Sequence, residues 1–199
     1  MPHTYIVTSE PSAEPLAVST LKHRMRITSS EFDAELGEIL SASRRMVEAQ
    51  TCRALVTQTM RLELDRFPPE RFIQLRRLPV ASISSVTYRD QDEVATTLPA
   101  AAYNLDLNSA PARLVLESDS TWPVTAPRFP AAVLITFIAG QSVSDLNPIA
   151  ILAVVEQCKL RFNILQPERV APDNWPQTIE KRYRQLIGHL QWTGVVPPA

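Results

Sequence analysis

The sequence predicts an α+β protein in which helices from both ends of the chain form a core and the middle supplies a β-rich antiparallel insertion. Near both ends, apolar residues recur at the spacing of a helix, whereas in the middle they alternate with polar residues as in half-buried strands. The strand-like runs follow one another too closely for the crossover helix that each parallel pairing needs. We therefore expect a helical core from residues 1–55 and 141–199 and a β-rich lobe from residues 56–140.

The N-terminal region is predicted to contain an extended arm and two helices. Prolines at positions 2, 11 and 15 favour an arm or an edge strand over residues 3–14. A short helix is expected from Leu16 to about Arg26. The tetrapeptide Thr28–Glu31 has the pattern of a capping box, in which the first side chain caps the helix and the fourth reaches back. The helix that follows is expected to run to about Cys52, with an apolar face formed by Phe32, Leu36, Ile39, Leu40, Ser43 and Val47.

The middle of the chain is predicted to form short antiparallel strands. In Thr57–Asp65 apolar residues alternate with charged ones, which is typical of a strand with one buried face. The acidic run Asp90–Glu93 is expected at the tip of a hairpin, and Asn108–Pro111 at a second turn. The remaining strand candidates are Phe72–Leu75, Ile83–Arg89, Val94–Leu98, Tyr103–Leu107, Arg113–Glu117 and Val133–Ala139.

Helices are predicted again after Gly140. Asn147 followed by Pro148 is the pattern of an N-cap with proline at the first helical position, and this helix is expected to reach about Asn163. Prolines at positions 167, 172 and 176 predict a loop. An amphipathic helix is then expected over Pro176–Gln191, followed by the apolar tail Trp192–Ala199, whose prolines prevent the helix from continuing.

Composition limits the possible functions. The formal net charge of −1 argues against a protein that grips nucleic acid through bulk electrostatics, although it allows a local basic patch. Met1–Glu10 lacks the features of a signal peptide, and apolar stretches such as Ala131–Gly140 are too short to cross a membrane. Cys52 and Cys158 do not make a disulfide framework, and both are expected to be buried thiols. We expect a cytoplasmic origin and no membrane partner.

Motifs for cofactor binding and catalysis are missing from the sequence. The four glycines stand apart, so the phosphate-binding patterns GxGxxG and GxxxxGK are not present. The three histidines are scattered and neither cysteine has a partner at CxxC spacing, so no zinc site is predicted. Ser142 follows Gly140 but lacks the second glycine of a nucleophile elbow. We expect no cofactor, no metal and no enzyme activity.

Three sets of residues have more than one interpretation. Asp65, Asp90 and Asp106 could serve a carboxylate-dependent hydrolase, although a hairpin tip explains the acidic cluster around Asp90 more simply. The apolar tail residues either fold back on the protein's own core or dock on a partner; they are Trp192, Val195, Val196, Pro197 and Pro198. Five basic residues form either a solvated helix face or contacts with nucleic acid; they are Arg44, Arg45, Lys181, Arg182 and Arg184.

An ordered series of short segments runs through most of the chain, over roughly residues 14–165. The segments are Glu31–Leu36, Ala42–Arg44, Val47–Glu48, Thr51–Thr59, Leu75–Val80, Ile83–Tyr88, Leu98–Pro99 with Tyr103, Pro111–Leu114, Trp122–Pro123 and Ala132–Gly140, with the proline-led helix after them. In this order they resemble the head-tail connector (adaptor) proteins of tailed phages and gene transfer agents. No single motif among them is specific. Cys52 departs from the resemblance, because similar proteins more often have glycine there.

The resemblance implies a structural role. Such proteins assemble as a ring, typically twelve-fold, below the portal at one capsid vertex, where they extend the DNA channel and offer a platform for the next neck or tail protein. We therefore expect a homo-oligomer that binds a portal protein and a stopper or tail-completion protein, with transient contact to packaged DNA. Its expected location is the neck of a virion or phage-like particle assembled in the bacterial cytoplasm. The tail Trp192–Pro198 is expected to reach toward the portal.

Two alternatives to an adaptor remain at this point. In a carboxylate-dependent hydrolase, alanine at Asp65, Asp90 or Asp106 would abolish turnover while the protein stayed folded. A tail-completion or stopper protein, one layer further down, would bind the adaptor directly and the portal only through it. The direct binding partner therefore separates the two structural roles.

Overall fold

The computed structural model describes residues 4–126, 130–165 and 175–191, and its chain divides into two compact units. The β unit consists of Met1–Ser12 and Thr57–Gly140, and the helical unit consists of Ala13–Val56 and Gln141–Ala199. The strands lie in the first unit and the α-helices in the second. The predicted α+β class is confirmed.

Eight strands are described in the β unit. They are β1 (Thr4–Ser9), β2 (Gln58–Leu64), β3 (Phe72–Leu75), β4 (Val80–Arg89), β5 (Ala95–Thr97), β6 (Tyr103–Asp106), β7 (Ala112–Leu116) and β8 (Val133–Ala139). Five of them form one sheet in the order β1-β2-β8-β4-β5, and three form a second sheet in the order β3-β7-β6. Each pairing within these sheets is antiparallel, as the short connections predict.

Strand β8 lies at the centre of the larger sheet. Its residue Phe137 is fully buried and is paired with Met60 of β2 on one side and Ile83 of β4 on the other. Every second residue of β2 and of β8 is buried, which matches the alternation that predicts these strands. Backbone pairing on both sides and full side-chain burial therefore coincide at Phe137.

Strand β1 is an edge strand, and the aromatic ring of Tyr5 fixes it to the β unit. This ring packs edge-to-face on Phe137, with 6.4 Å between the ring centroids. The Tyr5 hydroxyl donates a hydrogen bond to the carbonyl oxygen of Gln74 (3.4 Å) and accepts one from the amide of Arg76 (2.9 Å). The structure thus differs from the predicted division, which assigned the N-terminal arm to the helical core.

Four helices are described in the helical unit: α1 (Val18–Met25), α2 (Asp33–Thr51), α3 (Pro148–Leu165) and α4 (Trp175–Leu190). Helix α3 packs against both α2 and α4. Phe32 meets Phe162 edge-to-face, with 5.7 Å between centroids. The side chain of Asn147 accepts a hydrogen bond from the amide of Ile149 (2.9 Å), so the predicted N-cap of α3 is confirmed.

The predicted capping box at the start of α2 is wrong. The hydroxyl of Ser29 accepts a hydrogen bond from the amide of Glu31 (3.2 Å), and the amide of Asp33 bonds to the carbonyl of Ser30. These bonds close a local turn over the residues that the capping box would occupy. The helix therefore begins at Asp33, after the buried Phe32, and no side chain caps it.

The chain passes between the two units three times, after Ser12, after Val56 and after Gly140. Val56 and Gln141 form a parallel β-bridge, and the amide of Gln141 donates a hydrogen bond to the carbonyl of Leu55 (3.0 Å). The chain thus leaves the helical unit and returns to it at neighbouring positions. The β unit is an insertion into the helical unit, with the additional N-terminal strand β1.

Cys52 ends helix α2 in the left-handed conformation, with φ 55° and ψ 32°. Its thiol is exposed, so the prediction of a buried thiol is wrong at this position. A left-handed C-cap is the position where glycine is favoured, because a Cβ atom is strained there. Glycine would adopt this conformation without that strain.

We expect Cys52→Gly to raise the free energy of unfolding of the helical unit by about 1 kcal/mol, because it removes the strain of a left-handed non-glycine residue. Urea denaturation followed by helical circular dichroism measures the change. Cys52→Ala is the matched control, since it also removes the thiol but keeps the Cβ atom. Equal stabilisation by both substitutions would contradict the explanation by backbone strain.

Candidate interaction surfaces

Arg44 is buried in the helical unit, with only 2% of its side chain exposed. Its guanidinium donates to Glu14 through Nε (2.9 Å) and to Glu48 through Nη1 (2.9 Å). Glu48 in turn accepts a hydrogen bond from the amide of Leu55 (2.7 Å). The interpretation of Arg44 as part of a solvated face is therefore wrong, and Arg44 is not a candidate for contact with DNA. It joins the segment before α1 to the segment after α2.

The other predicted basic residues are exposed on helices α2 and α4. Arg45 is the exposed neighbour of Arg44, while Lys181 and Arg182 lie on the outer face of α4. Arg184 is also exposed and forms an ion pair with Glu180, one turn earlier in α4. The opposite face of α4 is buried in the core of the helical unit through Ile179, Tyr183, Ile187 and Leu190. The predicted amphipathic helix is thus confirmed.

The predicted tail residues Trp192, Val195, Val196, Pro197 and Pro198 lie outside the described residues, as do residues 166–174 of the predicted proline loop. Helix α4 ends at Leu190, immediately before the tail. The backbone carbonyl of Leu190 accepts a hydrogen bond from Nε of Arg53 (2.8 Å). The tail therefore departs from a helix end that is anchored to the chain just after α2.

The carboxylates of the hydrolase hypothesis accept hydrogen bonds from turns. Asp65 accepts from the amide of Ala131 (3.0 Å), and Asp106 accepts from the amide of Asn108 and the hydroxyl of Ser109. The hydrogen bond from Ser109 holds the pKa of Asp106 below its usual value. Asp90 accepts from the amides of Asp92 (3.0 Å) and Val94 (2.9 Å). All three carboxylates thus have structural partners, which is the role that turns commonly give to aspartate.

A cleft with two arginines lies between strands β2 and β3. It encloses about 390 Å³, and we define the β2–β3 cleft by its lining residues Arg66, Pro68, Pro69, Glu70, Phe72 and Arg76. Phe67 holds the connecting loop in place by stacking on Trp122, with 4.7 Å between centroids, and Trp122 donates to the carbonyl of Glu70 (2.8 Å). The sequence does not single out Arg66 as a candidate binding residue, because no other basic residue lies next to it. The proline pair that follows, Pro68–Pro69, is the one nearby feature that marks a loop.

The predicted hairpin tip connects β4 to β5, and we define the acidic tip as Asp90–Val94. Besides the hydrogen bonds to Asp90, the guanidinium of Arg89 donates to the carbonyl of Glu93 (2.8 Å). These bonds fix the backbone of the tip. The side chains of Asp92 and Glu93 are exposed and have no ion-pair partner in the described ranges, and Val94 is 57% exposed. The acidic tip therefore presents free negative charge beside an apolar side chain.

Cys158 is fully buried on α3, and this burial raises the pKa of its thiol to about 11. Burial also raises the pKa of the Tyr183 hydroxyl, to about 12, and this hydroxyl donates to Gln50. A pKa that is higher in the folded than in the unfolded state means that folding disfavours the anion. The stabilisation that the neutral Cys158 thiol contributes is thus fully present below pH 9, and it is lost as the pH rises toward 11.

We expect the helical unit to lose roughly 2–3 kcal/mol of stability from Cys158 between pH 9 and pH 11, because each unit of pKa shift corresponds to about 1.4 kcal/mol. Urea denaturation at several alkaline pH values measures this loss. In Cys158→Ala the free energy of unfolding should decline less steeply over the same pH range. The decline that remains is expected from ionisation of Tyr183. Identical slopes in the two proteins would show that the thiol is not the group responsible.

Among the described residues, no group of three or more histidine, cysteine, aspartate or glutamate side chains is close enough to hold a metal ion. None of the helices, over the residues described for them, combines the length and apolar character needed to cross a membrane.

Comparison with known proteins finds similarity in solved structures. No family model matches the sequence, and no curated protein matches it significantly. The fold is similar to a chain in the virion of a native gene transfer agent (GTA) particle, with a TM-score of 0.76, 20% identity and 98% coverage of both chains. It is also similar to a chain in the neck of an empty GTA particle computed with C6 symmetry (TM-score 0.75, 21% identity, 98% of both chains). A third similar chain belongs to the neck of a native GTA particle computed with C12 symmetry (TM-score 0.70, 20% identity, 97% of this chain and 98% of that chain).

Proposed function

We propose that this chain is a structural protein of the neck of a phage-like particle, and that within the neck it is the head-tail adaptor. The observation that carries the proposal is the fold similarity, which extends over almost the whole length of both chains and includes both units. Structures of the neck and virion of GTA particles contain those similar chains. The ordered segments that resemble adaptors support the same function from the sequence.

A closed ring of identical subunits is the proposed assembly. The similar chains belong to necks computed with C6 and with C12 symmetry, and a twelve-fold ring is compatible with both because it contains every six-fold rotation. Head-to-tail contacts between identical subunits close into such a ring without any catalytic group. The structural roles of Asp65, Asp90 and Asp106 favour this assembly over the hydrolase hypothesis.

The proposed partners are a portal protein above the ring, a stopper or tail-completion protein below it, and DNA passing through its channel. We assign the portal contact to the tail residues Trp192–Pro198, which begin where the anchored end of α4 stops. For the channel we keep the exposed residues Arg45, Lys181, Arg182 and Arg184 as candidates. A formal net charge of −1 suits a channel that lets DNA pass, because phosphate contacts multiply around a ring.

An image of the particle neck with this subunit located in it tests the function. We expect a ring directly below the portal, and native mass measurement of the purified chain with its cognate portal should give a complex of twelve copies bound to one portal ring. A chain that stays monomeric and never joins portal-containing particles would refute the proposal. Binding to an adaptor ring while failing to bind portal would identify a stopper instead.

Removal of residues 192–199 tests the assignment of the tail. We expect the shortened chain to keep the unfolding transition of the full chain, because α4 and its anchor at Arg53 end before the deletion. It should bind the portal at least tenfold more weakly, since burial of one aromatic and two valine side chains exceeds 1.4 kcal/mol. The readout is co-sedimentation with portal rings. Unchanged binding by the shortened chain would place the portal contact elsewhere.

A further inference from the structure

We propose that the acidic tip of one subunit inserts into the β2–β3 cleft of the next subunit in the ring. This inference rests on the proposed function, since it needs a ring of identical subunits. The partner that fits the cleft is therefore a second copy of this chain.

The charges of the two surfaces are opposite. In the cleft, Arg66 is exposed and has no ion-pair partner within the described part of the chain, and Arg76 is exposed with a hydrogen bond to the side chain of Gln74 (3.3 Å). Glu70 also lines the cleft, so its arginines outnumber its carboxylates by two to one. At the acidic tip, the carboxylates of Asp92 and Glu93 have no cationic partner among the described residues. Each surface thus carries charge without an ion-pair partner among the residues that the structure describes.

Apolar groups accompany the charges on both surfaces. Val94 is one of the more exposed large hydrophobic residues, at 57%, and it lies directly after the two free carboxylates. In the cleft, Pro68, Pro69 and Phe72 lie beside the arginines. Exposed ion pairs alone contribute little, typically less than about 1 kcal/mol each. Contact of Val94 with the proline pair would remove apolar surface from water and add to the electrostatic attraction.

The positions of the two surfaces suit a ring. Leu64 of β2 and Tyr88 of β4 are both paired with Val133 of β8, so the cleft and the acidic tip lie at the same end of the larger sheet. The tip adjoins edge strand β5, whereas the cleft begins at β2, next to edge strand β1. Because the tip joins β4 to β5, it lies two to three strand spacings of about 4.8 Å from β2, which is on the order of 10–14 Å across the sheet. Two complementary surfaces at different positions on one subunit are what a head-to-tail contact needs.

Disulfide cross-linking in the assembled ring tests this contact. The background is Cys52→Ser, which removes the exposed thiol and leaves the buried Cys158. In this background, Val94→Cys and Pro69→Cys are made in separate chains and also together in one chain. Oxidation of a mixture of the two single variants should give heterodimers, and oxidation of the double variant should give a ladder of covalent oligomers. The heterodimers report contact between subunits directly, because each single variant carries only one of the two introduced thiols.

A matched control uses Val124→Cys in place of Val94→Cys, because Val124 is exposed to a similar extent, at 65%, in the same unit. This pair should give no ladder.

Charge reversal provides a second readout of the contact. The double variant Arg66→Glu with Arg76→Glu should lower the yield of heterodimer roughly tenfold, and the double variant Asp92→Arg with Glu93→Arg should lower it to a similar extent. Combining all four reversals in one chain should restore the yield, because every head-to-tail contact then regains opposite charges.

The outcomes separate this inference from the proposed function. Rings on the portal without the expected ladder would overturn the contact and leave the adaptor function intact. Homodimers from Val94→Cys alone, or a disulfide from Pro69→Cys to another neck protein, would also overturn it, because each gives one of the two surfaces a different partner. A chain that forms no ring on the portal would overturn both proposals together.

Discussion

Arg44→Ala is expected to lower the free energy of unfolding of the helical unit by about 3–5 kcal/mol, the typical loss when one partner of a buried ion pair is removed. The guanidinium of Arg44 lies between Glu14 and Glu48, and Glu48 is 10% exposed in its side chain. Without the arginine, the largely buried Glu48 carboxylate would lose this ion pair. The segment before α1 would also lose its link to α2.

Arg45→Ala is the matched control for this substitution. It removes the same side chain one position along the same helix, but from an exposed site, where we expect a change within about 0.5 kcal/mol. Urea denaturation followed at 222 nm compares the two variants directly. If both arginines prove equally dispensable, the buried position of Arg44 is refuted. If only Arg44→Ala is destabilised, the experiment also supports the conclusion that Arg44 is too buried to contact DNA.

Phe137→Ala is expected to destabilise the β unit by about 3–5 kcal/mol, the range for removal of a large aromatic side chain from a packed core. Phe137 is fully buried in the central strand of the larger sheet and contacts the ring of Tyr5. Its loss would leave a cavity and would also weaken the attachment of β1. Proteolysis within Thr4–Ser9 should therefore become faster in this variant, in parallel with the fall in unfolding free energy.

Thr136→Ala is the control for Phe137→Ala, since Thr136 precedes it on the opposite face of β8 and is half-buried. We expect a loss of about 1 kcal/mol or less, because no large apolar volume is removed. The loss of unfolding free energy in Phe137→Leu should lie between the losses in Thr136→Ala and Phe137→Ala. Similar destabilisation by Thr136→Ala and Phe137→Ala would mean that strand pairing, with little help from core packing, determines the stability of this sheet.

Local patterns in the sequence predicted the type and order of the elements. The alternation in β2 and β8 follows from one buried face, and the N-cap Asn147 and the acidic tip are set by residues within one turn. Such features depend on neighbours along the chain, so the sequence contains them directly. The start of α2 is an exception, because Ser29 completes a turn with Glu31 and leaves no cap for the helix.

Features that depend on distant segments were not predictable in the same way. The charge of Arg44 predicts a surface position, although its spacing of four from Leu40 and from Glu48 places it on the buried stripe of α2. That spacing was the available signal, but only the position of Glu14 makes burial of the charge possible. Likewise the β2–β3 cleft unites residues of a loop and a strand, and no periodicity connects them.

The three passages of the chain between the units have a consequence for synthesis on the ribosome. Strand β1 is made first, but its partner β2 follows only after α1 and α2. The central strand β8 is synthesised later still, and the helical unit stays incomplete until α3 and α4 have been synthesised. At translation rates of about 5–20 residues per second, the edge of β1 stays unpaired for seconds. The β unit has all its strands only after Ala139, and the helical unit has all its helices only after Leu190, so a nascent subunit stays incompetent for assembly until α4 has been made.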